Sequence, residues 1–260
     1  MDQVHFKSHL CRVKHILLIL LVLFSFEIYA QGVLIHAHND YQKKEPLIQA
    51  IKHRIQYIEV DVYLIGNKLL VAHDIAELPL APTLEDIYLK PISGLFKLYK
   101  NRISEDAWYR PVLVIDIKRN GTAVLNALVE LLSRYPDVFD PLVNKENIQL
   151  LISGDRGPAT NWNTFPTYIS FDGRPFESYD DQALKRVSTI SDSYGNYSKK
   201  QDSIDTLIKA LAGKVHQQNK LLRLWAIPDH IDSWKHLRSL GVDIINTDNV
   251  EECRRYFGKK

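Results

Sequence analysis

Short apolar runs alternate with longer stretches of threefold and fourfold apolar spacing along most of this chain, and that alternation constrains the fold more than any other feature. Eight β-branched or apolar runs fall at 33–38, 57–64, 112–118, 148–153, 168–172, 189–193, 222–227 and 243–247. Helical patterns lie between them, clearest at 122–135, where Val124, Leu125, Leu128, Leu131 and Leu132 share a face, and at 204–217. Strand-then-helix repetition is how a chain builds a parallel sheet covered by helices. Eight such units in about 230 residues predict a (β/α)8 TIM barrel, and a doubly wound open sheet is the alternative. No glycine-rich phosphate loop follows the first run, which counts against the open dinucleotide-binding version. A short return at 67–70 reads as an extra strand after the second run.

The first thirty residues read as targeting sequence rather than fold. Lys7, Arg12 and Lys14 precede an apolar run at 16–24, and Ala30 then offers a small residue for cleavage before Gln31. That run is too short to span a 30 Å hydrocarbon layer unaided. The reading is therefore a signal peptide at 1–30, one barrel domain at 31–260, and an exported protein, periplasmic or extracellular. Two cysteines, Cys11 and Cys253, support neither a disulfide framework nor a thiolate zinc site. The 33 Lys and Arg residues against 31 Asp and Glu leave a net charge of +2, which speaks against a broad nucleic-acid face. Nothing in the chain calls for an obligate protein partner.

In a barrel the chemistry gathers at the C-terminal ends of the strands, and the polar residues of this chain fall there. The first run ends in His36-Ala37-His38-Asn39-Asp40-Tyr41, the second carries Glu59-Val60-Asp61, the return ends in His73-Asp74, and the third full run ends in Asp116-Ile117-Lys118. Alternation puts Glu59 and Asp61 on one face of their strand, as it does Asp116 and Lys118. Carboxylates flanked by Ile58, Val60 and Val62 cannot lie unpaired in a dry core, because each would cost several kcal/mol. A cation on Glu59, Asp61 and Asp116 answers that cost, and an all-oxygen donor set favours Mg²⁺ or Ca²⁺ over zinc. Singly these signals are weak, since a Glu-x-Asp pair usually sits on a surface edge and a lone histidine is usually structural. Their arrival in order at consecutive strand ends gives them weight.

These segments resemble the glycerophosphodiester phosphodiesterase and phospholipase C-like superfamily, in particular the subgroup typified by altered inheritance of mitochondria protein 6. The carriers are I-H-A-H-N-D-Y (35–41), I-E-V-D-V (58–62), L-V-A-H-D (70–74), V-I-D-I-K (114–118), L-R-L-W-A-I-P-D (222–229) and L-G-V-D-I-I-N-T-D (240–248). The resemblance implies a TIM barrel that hydrolyses phosphoric diesters, with His38 and His73 as the acid/base pair, Glu59, Asp61 and Asp116 as ligands of one divalent cation, and Lys118 facing the phosphate. Asn39, Asp40 and Trp225 are further candidates for substrate contact. The implied substrates are glycerophosphodiesters or (lyso)phospholipid head groups, the latter bringing the protein to a membrane surface peripherally.

Two departures stand out. Asn39 and Asp40 follow the first histidine, where typical glycerophosphodiesterases have arginine and glycine. Asp116-x-Lys118 replaces the usual glutamate and resembles the sphingomyelinase D-like relatives, whose products include cyclic phosphates. Two other readings compete. His36-x-His38 also resembles the start of amidohydrolase and histidinol-phosphatase-like metal barrels, although 168–172 and 189–193 lack the further histidines those need. A non-catalytic binding barrel is the other. One geometric expectation concerns the return after the second strand. Regular pairing through a three-residue loop at 65–67 would set His73 opposite Glu59, whereas a two-residue Gly66-Asn67 turn would turn it away, so a catalytic His73 with regular pairing to its end predicts the longer loop.

Overall fold

The computed structural model describes residues 33–199 and 203–258. The leader read at 1–30 lies outside them. Nine strands form: β1 (Leu34–Ala37), β2 (Tyr57–Ile65), β3 (Lys68–Val71), β4 (Val112–Ile117), β5 (Gln149–Gly154), β6 (Ile169–Gly173), β7 (Val187–Ser193), β8 (Leu221–Trp225) and β9 (Ile244–Thr247). All but β3 run parallel, each bonded to the next, and β1 pairs with both β2 and β9, so the sheet closes into an eight-stranded barrel. The expected fold is therefore present. Closure removes the exposed strand edges that an open sheet would have to protect.

Longer helices at Lys90–Leu98, Gly121–Leu132, Ile204–Gln217 and Ile231–Ser239 lie between strands in the chain, and one at Val250–Phe257 follows the last strand. The Gly121–Leu132 helix shows why the sequence folds this way. Its five periodic apolar residues are all buried, and burying each such side chain is worth about 1.5–3 kcal/mol. Asp155, just after β5, accepts a hydrogen bond from the backbone N–H of Gly121 at 2.9 Å, capping the helix start.

Inside the barrel the floor is apolar. Tyr57, Val114, Leu151 and Ile244 form one buried cluster, with Leu34, Val112 and Leu221 packed against it. One or two steps further along each strand the inward residues become polar: His36, Glu59, Asp116, Ser153, Asp172, Ser191 and Arg223. A register shift between Phe171 and Asp172 accommodates one extra residue in β7, so Asp172 pairs with Thr189. Bulges of this kind re-aim side chains at barrel rims.

The β2–β3 hairpin corrects an expectation. Ile65 pairs with Lys68, so the connection is the two-residue Gly66-Asn67 turn, with Gly66 supplying the positive φ of 58°. His73 nevertheless reaches the carboxylate face, because the β2–β3 ladder ends at Val62 opposite Val71. Beyond it the backbone N–H of Val71 donates to Pro82 O at 2.9 Å. The N–H of His73 donates to the Glu77 carboxylate at 2.7 Å, and the Tyr63 hydroxyl donates to the His73 carbonyl at 3.2 Å. Extrapolating a ladder past its last bond was the error. No helix among the described residues is long and apolar enough to cross a membrane.

Candidate active site

The strand ends enclose a cavity of about 270 Å³ lined by His38, Asn39, Glu59, His73, Asp116, Lys118, Ser153, Arg174, Arg223, Trp225 and Ala226. Two of these have left-handed backbone, Asn39 at φ 46° and Ala226 at φ 54°. Non-glycine residues persist there only where their surroundings enforce it, and such residues gather at functional sites.

Glu59 and Asp61 project from β2 and Asp116 from the neighbouring β4. One oxygen from each lies within 4.8 Å of the others. Asp61 is fully buried, and its Oδ2 accepts from the Tyr41 hydroxyl at 2.9 Å, from His73 Nδ1 at 2.9 Å and from Lys118 Nζ at 2.6 Å. Its Oδ1 is equally buried and has no hydrogen-bond partner among the described residues. An ionised oxygen left so is costly, and a cation is what satisfies it. Burial pushes the Asp116 carboxyl above its ordinary value. Lys118 opposes that rise, whereas the like charges of Glu59 and Asp61 add to it. The three residues thus fit a hard divalent ion in both donor chemistry and charge. Space is tight around them: a Cβ on Gly154 would sit 2.5 Å from Asp116 Oδ1 and 2.3 Å from the Ile117 carbonyl oxygen.

Glu59 is oriented from below. His36, fully buried, hydrogen-bonds to its Oε2, and Arg223 Nη1 stands 3.5 Å from the same oxygen. Burial and Arg223 push His36 down to about 4, which makes it neutral near pH 7 and an N–H donor to Glu59. Burial alone would raise Glu59, but His36 and Arg223 outweigh it and hold the carboxyl at about 2. His36 is therefore committed beneath the site rather than displayed in it, which removes the paired-histidine metal start that the amidohydrolase reading needs.

The two candidate acid/base histidines stand at the rim, each with a carboxylate at Nδ1. His73 Nδ1 meets Asp61 at 2.9 Å, and His38 Nδ1 lies 3.4 Å from Asp248, which also accepts from Lys43 at 3.0 Å. A carboxylate at Nδ1 fixes the ring and leaves Nε2 as the nitrogen free for proton transfer. Lys118 is half-buried. Burial works against its charge, yet Asp116 and Asp61 outweigh that and hold it above the usual lysine value.

The structure does not bring Asp40 to the site. Its Oδ2 accepts from the Leu47 backbone N–H at 2.6 Å and the Tyr88 hydroxyl at 2.7 Å, so the carboxylate pins the loop after β1 and lies outside the cavity lining. Asn39 does line the cavity, with its Oδ1 buried and without a partner among the described residues. Trp225 lines it as well.

The opposite wall is only partly legible in the sequence, where Asp172 stands as a candidate pocket residue at a later strand end and Arg223 goes unremarked. Asp172, buried on β6, accepts from Arg174 Nη1 at 2.9 Å, Arg223 Nη2 at 2.9 Å, Ser153 Oγ at 3.0 Å and the Ser191 hydroxyl. Burial would raise its carboxyl, but Arg223 and Arg174 overcome this and hold it below the ordinary value. Arg223 was findable by the rule that found Glu59, since it is a charge between Leu222 and Leu224 in an apolar strand.

Comparison with known proteins agrees with this geometry. The AIM6-like phosphodiesterase domain family matches residues 25–138. The chain is 24% identical over 282 residues to altered inheritance of mitochondria protein 6 of Eremothecium gossypii, covering 85% of this chain and 69% of that protein. It is 23% identical over 271 residues to the homologue of that protein in Arthroderma benhamiae, covering 86% and 83%. Among solved structures, a glycerophosphodiester phosphodiesterase from Parabacteroides distasonis superposes with a TM-score of 0.57 at 17% identity, over 87% of this chain and 97% of that one. Another from Agrobacterium tumefaciens gives 0.51 at 15% identity, over 86% and 99%. The chain is thus similar to AIM6-like proteins over most of its length, and its closed parallel barrel has the fold of the two solved glycerophosphodiester phosphodiesterases.

Proposed function

We propose that the protein is an exported, metal-dependent phosphoric diester hydrolase acting on glycerophosphodiesters or (lyso)phospholipid head groups. The observation that carries the reading is the orphaned Oδ1 of Asp61 amid three converging carboxylates, two of which, Glu59 and Asp116, line the same cavity as His38 and His73. Glu59, Asp61 and Asp116 would hold one Mg²⁺ or Ca²⁺, which supplies charge neutralisation at the nonbridging phosphate oxygens and lowers the pKa of a hydroxyl.

A phosphodiester offers little for a protein nucleophile to gain, so the residues act by positioning and proton transfer. Lys118 places a fixed ammonium beside the carboxylates, toward the phosphate oxygens. One of His38 and His73 takes a proton from the attacking hydroxyl at Nε2, and the other delivers one to the leaving oxygen. The attacking hydroxyl is either water or the substrate's own neighbouring alcohol, which gives a cyclic phosphate. Asn39 Oδ1 offers an acceptor to a substrate hydroxyl. His36 and Arg223, beneath the floor of the site, keep Glu59 ionised and aimed.

The test is the purified protein incubated with glycerophosphocholine, glycerophosphoinositol and lysophosphatidylcholine, with and without EDTA, products being read by phosphorus NMR. Chelator-sensitive cleavage restored by Mg²⁺ or Ca²⁺ is expected. Cleavage indifferent to chelation, or no phosphodiester cleavage by metal-loaded protein, overturns the reading.

A further inference from the structure

The half of the cavity opposite the carboxylates carries a charge that the proposed chemistry does not use. Asp172 is shared by two guanidiniums, Arg174 and Arg223, and because Arg223 also faces Glu59, Arg174 is the one whose charge has no other role here. Arg223 is buried deep, its Nη1 turned to His36, Glu59 and Asn246 and its Nη2 to Asp172 and Ser191. Arg174 is different. All its side-chain hydrogen bonds among the described residues leave from Nη1, to Asp172, Gly173 and Ser191. Its Nε and Nη2, which form one edge of the planar fork, are uncommitted, and the residue lines the cavity. Its guanidinium also lies over the Trp225 ring, 4.9 Å from the centroid. Anchoring through one nitrogen and stacking through the plane fix the group, so little rotamer entropy remains to be lost when the free edge binds.

That arrangement discriminates by charge. An exposed tryptophan face attracts quaternary ammonium groups. Here one face is already covered by a cation. A choline head group would therefore meet repulsion from Arg174 and find that face taken, whereas an anionic group would meet a preset bidentate donor. We infer that Arg174, held on Trp225 and Asp172, is the head-group specificity residue of this site and selects phosphodiesters whose head group is anionic over those bearing choline. The inference rests on the phosphodiesterase reading above and narrows its substrate class.

The test compares kcat/KM for glycerophosphoinositol 4-phosphate and glycerophosphocholine in the wild type, Arg174→Met and Arg174→Lys, with thermal melts of each. Metal-loaded protein is also titrated calorimetrically with inositol 1,4-bisphosphate. We expect the wild type to favour the anionic substrate at least about tenfold, Arg174→Met to collapse that ratio mainly through KM, and Arg174→Lys to keep part of it. We also expect Arg174→Met to weaken the bisphosphate about tenfold or more. A wild-type preference for the choline substrate overturns the inference. So does an equal loss on both substrates in Arg174→Met, which would place Arg174 at the reacting phosphate or in the scaffold. If neither substrate is cleaved, the phosphodiesterase reading fails separately, and the bisphosphate titration then decides the Arg174 assignment alone: weaker binding in Arg174→Met supports it, equal binding overturns it. If Arg174→Met does not fold, the wild-type ratio and Arg174→Lys decide it.

Discussion

The two walls of the cavity are built from strand ends at the same mouth of the barrel and carry opposite imbalances. On the β2 and β4 side three carboxylates meet a single lysine, and one buried oxygen goes unbonded. On the β6 and β8 side one carboxylate meets two arginines, and one guanidinium edge goes unbonded. Buried charge is ordinarily paired. Two complementary failures of pairing across a few strands are what the proposed site, with a cation on one side and an anion on the other, would require. His36 and Arg223 join the walls, so neither is set independently.

Breaking the acidic wall should have the largest effect. Asp61→Asn or Glu59→Gln is expected to lower turnover at least about 10³-fold, in the range lost when a preorganised electrostatic group is removed. The same changes should abolish the thermal stabilisation by added metal, which for a site at a hundred times its Kd amounts to about 2.7 kcal/mol. A metal-induced rise in Tm that survives both substitutions would break the comparison at its first half. His38→Ala and His73→Ala should each cost about 10²- to 10⁴-fold in kcat. The double mutant should resemble either single, because both act in one proton-transfer cycle. A fully multiplicative loss would show them acting separately.

Breaking the basic wall should be read first in stability. Arg223→Met leaves Asp172 with only Arg174 and Glu59 with only His36, and removing one partner of a buried pair costs about 3–5 kcal/mol. It should also move acid unfolding upward in pH. The folded-state pKa of Asp172 is depressed, so its contribution is present above the ordinary carboxylate range and is lost as pH falls through the folded value. Without Arg223 the folded value rises, and the loss begins at higher pH. An unchanged acid midpoint would show Arg174 alone sufficing. The smallest effect sharpens the hairpin that carries His73. Gly66→Ala meets no atom within 4 Å but must take a φ of 58°, and should cost about 1 kcal/mol. A neutral result would mean that the turn relaxes freely.

The barrel was legible because its signals are local and repeated. The strand at 187–193 was read only two residues short, and the helix read at 204–217 has those bounds in the structure. The acidic wall was legible for the same reason, since alternation within one strand places Glu59 and Asp61 together. What stayed hidden depends on partners distant in sequence. Asp40 looked like a rim residue until Tyr88, forty-eight positions on, was seen to donate to it. Arg174 lies one residue beyond its strand, and its role emerges only when β8 brings Trp225 beneath it. The hairpin register failed because a regular ladder was assumed where Pro82 takes over the pairing.

The hairpin itself has a consequence for how such a chain can be altered. His38 follows directly from β1, a stave of the closed cylinder, whereas His73 hangs from an appended outrigger whose ladder pairs with the last four residues of β2 and whose imidazole ties back to Asp61. Residues 66–82 therefore form a cassette: a foreign hairpin that keeps the buried Leu69, Val71 and Ala72 would change the reach and angle of one imidazole, and with it the hold on Asp61, while the cylinder and the other imidazole stay in place.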